Sequence, residues 1–439
     1  MKRHFSGVIL SCYMVSLLLL FQNCKEKALT SINDDSRNPA SISDNAGSVR
    51  AASANNELAV ELHKRLAGAT PNLDDPILTD MENLISQGQL EEAALVATHQ
   101  PSFYSITLRD FAVKMTNKEQ SVSFPLNDLA ATIIGGVRDD INATEFFTGN
   151  FFYKGNASSG APQDLKNDII LSNNHYESLD NSGANLMEVL ERVNGQQVVN
   201  PQGNLVALAD SGGILTSRAF MAAHADAGTN RRIIEYSFKV FLCKPMDEWA
   251  NSSNPDNRVG RDVGRFPQAD YLAKCKGCHT GMDALRPATA HFDFFDGGIR
   301  YKYSYPMDPN PNDPSQLNIP VASAEQDVPY KFRRASDNFP QGFAVTDDNW
   351  SNYASDEIFG FRTPSSGQGM ADLARLVAYS EQFSRCMVQR VFKSVCRRDS
   401  AKEEKYLIER LAQDFERDYN LRHLFVNVAL QPECTGVHL

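Results

Sequence analysis

The chain has 439 residues, 42% hydrophobic and 22% charged, an ordinary globular balance with length enough for two or three domains. The formal net charge of −11 argues against a nucleic-acid partner, which requires a basic face, and against adhesion to anionic lipid by charge alone.

The chain opens with the basic residues Lys2, Arg3 and His4, followed by an apolar run over 8–21 with Leu17, Leu18, Leu19 and Leu20 at its core. This run is too short for a comfortable membrane span and reads as a signal peptide over 1–23. It ends at Cys24, and a cysteine directly after a signal core resembles the bacterial lipobox, which implies acylation of Cys24 and anchoring by lipid. Gln22 and Asn23 stand where the usual box carries small residues. No later stretch is apolar enough to span a bilayer. The expected location is therefore the cell envelope, on the periplasmic face or at the outer membrane, where disulfides form.

Residues 24–56 are rich in Ser, Asn, Asp and Ala, cannot bury a core and read as a flexible tether. Leu58, Leu62 and Leu66 then recur at helical spacing, and further helical patterns cover 77–86, 90–98, 103–115, 126–137, 186–193 and 214–225. Two-residue alternation is scarce. A loop-rich stretch occupies 138–183, a boundary falls at 194–204 around Pro201 and Gly203, and 301–369 is again irregular. The C-terminal end returns to helix. Leu373, Leu376, Val377, Phe383, Met387, Val388, Val391 and Val395 mark one apolar face; Leu407, Leu411 and Phe415 mark a second helix, and Leu424 and Val428 a third. The expected fold class is mainly α, with a helical N-terminal domain over 57–200, a functional domain with long irregular loops over 201–369 and a C-terminal helical domain over 370–439.

The chemistry concentrates in Lys274-Cys275-Lys276-Gly277-Cys278-His279. C-x-x-C-H is the spacing that covalent haem c needs: two thiols reach the two vinyl groups on one porphyrin edge, and the next residue sets its imidazole under the iron. Composition alone predicts about 0.003 occurrences of this pattern in such a chain. A redox-active dithiol favours a thioredoxin-like βαβ context that the sequence lacks, and a zinc site would want a second C-x-x-C pair. The motif therefore predicts one covalent haem c on Cys275 and Cys278, with His279 as the proximal iron ligand.

Three blocks carry a wider resemblance. The first is Gly213-Ile214-Leu215-Thr216-Ser217-Arg218-Ala219-Phe220 with Gly228-Thr229-Asn230-Arg231-Arg232 and Phe241-Leu242-Cys243. The second is the haem motif continued through Thr280-Gly281-Met282-Asp283, with Phe292-Asp293 and Gly298-Ile299-Arg300. The third is Ser380-Glu381-Gln382-Phe383-Ser384-Arg385-Cys386. Together they resemble planctomycete-type single-haem cytochrome c domain proteins of unknown function, over roughly residues 213–434. Ile134-Gly135 with Arg138-Asp139-Asp140 resembles their N-terminal part more loosely. The chain departs from the pattern at Ala284-Leu285-Arg286, where relatives often carry a Pro-Leu-Gly-like turn. The resemblance implies a cytochrome c-like haem region and supports the cofactor far more than any substrate.

A sixth iron ligand has to come from a separate loop, because Met282 lies three residues after His279 and stays on the proximal side. Met307, braced by Pro306 and Pro309, is the first candidate and Met370 the second, with His224 and His291 as further options. Arg258, Arg261 and Arg265 suit haem propionates or, equally, pair with Asp256 and Asp262 in a solvated loop. Of the remaining cysteines, Cys386 and Cys396 would lie about 15 Å apart on one helix, too far to bond. That favours Cys396–Cys434 with Cys243–Cys386 over free buried thiols. The expectation is an exported, lipid-anchored monohaem c-type cytochrome that transfers electrons to a redox partner the sequence does not name. The alternatives are a haem-dependent oxidoreductase or peroxidase-like enzyme with an open iron, or a haem-bearing binding or assembly lipoprotein.

Overall fold

Helices dominate, and their ends are set by side chains that the sequence supplies locally. In the computed structural model, residues 54–72, 74–200, 203–226, 228–256, 268–302, 328–332 and 344–436 are described. The first helices are α1 (Ala54–Leu66), α2 (Pro76–Ser86) and α3 (Leu90–Thr98). Leu58, Leu62 and Leu66 face the core from α1, as their spacing predicts. Asp75 accepts from the Ile77 N–H at 3.1 Å and Pro76 occupies the first turn of α2, which together fix where that helix begins.

The next long helix, α4 (Asp128–Arg138), is capped by Asn127 and almost wholly buried. It packs on strand β1 (Phe151–Gly155), and Gly135 makes the approach feasible: a Cβ there would lie 2.1 Å from the Tyr153 ring. β1 pairs antiparallel with β2 (Leu190–Asn194), Phe151 opposite Asn194 and Gly155 opposite Leu190. This corrects the expected helix over 186–193, which ends at Val189. A nearly fully buried strand must have its backbone groups paired, and that requirement overrides local helical pattern. The expected loop over 138–183 likewise contains β1 and the helical segments Glu145–Thr148, Leu165–Ile170 and Asn174–Asn181.

Three further two-stranded antiparallel ribbons follow: β3 (Gln197–Val199) with β4 (Leu205–Ala207), β5 (Phe292–Phe295) with β6 (Gly298–Tyr301), and β7 (Asn349–Ser351) with β8 (Ser366–Gln368). Between and beyond them run α5 (Arg218–His224), α6 (Arg231–Phe241), α7 (Lys276–Leu285), α8 (Gly369–Ala378), α9 (Glu381–Cys396), α10 (Lys405–Phe415) and α11 (Leu421–Ala429). The fold is mainly α, as expected, with strands confined to short ribbons among the described residues. No described helix is long and apolar enough to cross a membrane.

One hydrophobic cluster runs from Leu58 to Cys434 and takes residues from all three stretches that the sequence suggested as separate domains. Residues 52–439 group as one unit by their contacts. α9 lies at the centre of this unit's C-terminal half, packed on α10, α11, α1 and α6. Cys243–Cys386 ties the end of α6 to α9, and Cys396–Cys434 ties the end of α9 to the C-terminal turn. These are the pairs favoured from the sequence, and Cys386 and Cys396 do share one helix. The bridges span 143 and 38 residues, so each restrains a long loop in the unfolded chain. Replacing either pair by serine is expected to lower the unfolding free energy by about 2–5 kcal/mol in urea titrations. Peptide mapping under non-reducing conditions should recover these two bridges. A bridge joining Cys275 or Cys278 to any of the four would contradict the arrangement.

Candidate functional site

The C-x-x-C-H segment sits at the start of α7. A single π-helical turn, Tyr271–Cys275, leads into it, and such wide turns recur at functional positions because they re-aim the residues that follow. Cys275 and Cys278 are three apart and share a helix face, with His279 beside them one turn from Cys275. Both cysteines are free and half-buried, while the four other described cysteines pair with one another. Burial pushes the Cys278 thiol up, helped by the negative charge of Asp247 and Glu235 and by Cys275. Among the described residues, no group of three or more His, Cys, Asp or Glu is placed to hold a metal ion, so the pair finds no further zinc-type ligands there.

α7 is held from two sides. On one, Gly281 lets Trp249 lie against the helix, since a Cβ at Gly281 would meet the indole at 2.6 Å. Trp249 stacks in turn on Phe238 of α6, ring centroids 4.7 Å apart. Thr280 Oγ1 donates to the Asn251 carbonyl at 3.1 Å, and the Asn251 N–H donates to the Gly277 carbonyl at 3.0 Å. On the other side stands Asp283, which has no solvent exposure at all. Arg231, the first residue of α6, grips it with Nε to Oδ1 at 2.6 Å and Nη2 to Oδ2 at 2.9 Å. Arg286, itself buried, places Nη1 3.0 Å from Oδ1 and bonds the Ala344 carbonyl at 3.2 Å. His279 Nδ1 lies 3.6 Å from Asp283 Oδ2, slightly beyond hydrogen-bond length. Burial alone would raise the Asp283 carboxyl, but Arg286, His279 and Arg231 outweigh it and hold it down to about 2.

The residues present suit a covalent haem. Two unbonded thiols share a face, and the His279 ring keeps its buried Nδ1 against a carboxylate. Its Nε2 has no partner among the described residues, and the side chain stays about one third exposed.

Asn230 explains why the block before the C-x-x-C-H motif and the block after it belong together. It adopts left-handed φ of 59°, which Asn tolerates, and its buried side chain donates to the Phe292 carbonyl at 2.9 Å. The start of α6 is thereby fixed to the segment that follows α7. Arg286, which stood out in the sequence only where the chain departs from the cytochrome domains it resembles, opens the 3-10 turn Arg286–Thr289 and supplies a buried cation. Neither Arg231 nor Arg286 was singled out from the sequence. The available signal was the four-residue spacing of His279 and Asp283, which puts both on one helix face and demands countercharge for a buried acid.

Of the residues considered for the sixth ligand and the propionates, Met307, Arg258, Arg261 and Arg265 lie outside the described residues, as do Cys24 and Asp262. Met370 is fully enclosed in the main hydrophobic cluster, its N–H donating to Asp210 at 2.7 Å. His291 Nε2 lies 3.6 Å from Asp348. His224 is fully buried between Phe220 and Tyr236, centroids 4.6 and 4.1 Å away, and neither ring nitrogen has a hydrogen-bond partner among the described residues. No family model, curated protein or solved structure matches the chain.

Burial holds His224 neutral, down to about 3, and Lys118, Arg232 and Lys239 add to the effect. The unfolded chain therefore binds this proton between pH 6.5 and about 3 while the folded chain does not, so stability falls as pH falls through that window. At pH 5 the expected loss from this group is about 2 kcal/mol relative to pH 7. His224→Phe should remove that part of the slope, read from urea midpoints at the two pH values. An unchanged slope would contradict the placement.

Proposed function

We propose that this chain is an exported, lipid-anchored c-type cytochrome that carries one covalent haem and transfers electrons within the cell envelope. The observation that carries the reading is the C-x-x-C-H turn itself: two free thiols on one face of a helix start, next to a histidine whose Nδ1 is backed by the fully buried Asp283. In attachment, each thiol S–H would add across a vinyl C=C, forming one S–C bond while the proton would go to the neighbouring carbon. Cys275 and Cys278 would hold the haem and His279 Nε2 would bind its iron. The bound group supplies a one-electron Fe(III)/Fe(II) couple. Arg231 and Arg286 fix Asp283, Asp283 faces the Nδ1 side of His279, and Trp249 and Asn251 fix the helix that bears all three functional residues. The resemblance of residues 213–434 to planctomycete-type cytochrome domains supports the same cofactor. Met307 is proposed as the distal ligand and Cys24 as the acylated residue.

A second reading, a haem enzyme with an open iron, draws support from one observation. An anionic residue behind the axial histidine strengthens that histidine as a donor and lessens the need for a strong sixth ligand.

Haem should stay with the wild-type protein through acid-acetone extraction and be lost in the Cys275→Ala, Cys278→Ala double variant; release of haem from the wild type would refute covalent attachment. Ferric wild type should show a weak far-red band from iron–methionine bonding that Met307→Ala removes. A wild type without that band that binds cyanide at once favours the enzyme. Membrane fractionation should find the wild type with membranes and Cys24→Ala soluble or unprocessed, whereas equal solubility of the two would refute the anchor.

A further inference from the structure

The environment of Asp283 goes beyond what holding a helix requires. A carboxylate offers about four lone-pair sites. Two are taken by Arg231, with Nε on Oδ1 at 2.6 Å and Nη2 on Oδ2 at 2.9 Å, while the Arg286 guanidinium crowds Oδ1 as an ion-pair contact with Nη1 3.0 Å away. The remaining capacity is on Oδ2, the oxygen that lies 3.6 Å from His279 Nδ1. That Nδ1 is itself buried, with no hydrogen-bonded partner elsewhere among the described residues. The two arginines hold the buried carboxylate in place, so it does not leave the imidazole for solvent. Such contacts are often long in ligand-free proteins and tighten when the ligand binds.

Resting on the haem reading above, we infer that Asp283 is the anionic partner of the axial imidazole, a positioning residue that sets both the tautomer of His279 and the oxidation-state preference of the iron it binds. A carboxylate accepting from Nδ1–H fixes the proton on that nitrogen and leaves Nε2 as a bare lone pair facing the metal. By drawing on the Nδ1 proton it also gives the ring anionic character. Nε2 becomes a stronger donor, and ferric iron gains over ferrous. A backbone carbonyl in the same position would fix the tautomer with much less of this charge transfer, because charge-assisted hydrogen bonds are roughly twice as strong. The arginines temper the effect by sharing the carboxylate, which bounds it below that of an isolated Asp–His pair. His279 and Asp283 lie on one rigid helix at i and i+4, so the distance between them is built into the attachment motif's own secondary structure.

The test uses the full-length holoprotein made in a host that attaches haem c, with the haem content of every variant measured first as pyridine haemochrome. Asp283→Asn should keep its haem and favour the ferrous state about tenfold more than wild type at a fixed ambient potential, an upward shift of about 59 mV for a one-electron couple. Asp283→Glu, which keeps the charge, should shift it less. An Asn variant with full haem and the wild-type potential overturns the inference. If the Asn variant does not accumulate in folded form, the wild type decides. After photolysis of its ferrous carbon monoxide complex, the iron–histidine stretching band should lie above that of a cytochrome c whose axial histidine donates to a backbone carbonyl. A band at or below that position overturns the inference even where a bare charge effect moves the potential. A wild type with no covalent haem overturns the functional reading, and this inference with it, before any potential is measured.

Discussion

A carboxylate with no access to water must be paired, and in this protein that requirement organises the region around the C-x-x-C-H turn. Asp283 draws one arginine from the start of α6 and another from the turn after α7, and it faces the histidine one turn back on its own helix. Removing a single partner from such a cluster leaves an uncompensated buried charge, which typically costs about 3–5 kcal/mol. The net stability that the complete cluster adds is smaller, since desolvating the ions offsets much of their attraction. Its consequence is geometric. The start of α6 is tied to α7, and His279 has its Nδ1 toward the charge.

The rest of the fold secures the two helices that meet at this charge. The Cys243–Cys386 bridge joins the far end of α6 to α9, the helix on which α1, α10 and α11 also pack. The near end of α6 is fixed by Asn230, which reaches the strand after α7. α7 is further held by Trp249 at the position where Gly281 has no side chain. Two free thiols are therefore presented on a helix whose position is determined by a buried charge, an aromatic stack and a disulfide some distance away.

Much of this was legible in the sequence, and the parts that were not share a cause. Leu58, Leu62 and Leu66 announced α1, and the 90–98 pattern matches α3 residue for residue, because both helices bury one apolar face and periodicity reports that directly. The length of α9 excluded a Cys386–Cys396 bridge, and of the two pairings left the favoured one is present. The strand Leu190–Asn194 was hidden because its reason for existing is a partner strand about forty residues earlier. Arg231 and Arg286 were hidden for the same reason. An arginine in sequence reads as surface, and only the fold brings both to one acid. The C-x-x-C-H pattern was plain because its residues are neighbours in sequence, whereas a distal ligand to the proposed haem would depend on how a separate loop folds; Met307, the residue proposed for it, lies outside the described residues.

The central claim is that Cys275 and Cys278 carry a haem through thioether bonds. The most direct measurement is tandem mass spectrometry of the proteolytic peptide that contains residues 275–279, taken from protein produced where haem c is attached. The account expects that peptide to bear the mass of one haem, with fragments assigning the added mass to both cysteines. A peptide with its two thiols unmodified, or joined to each other, in a host that matures other c-type cytochromes would contradict it.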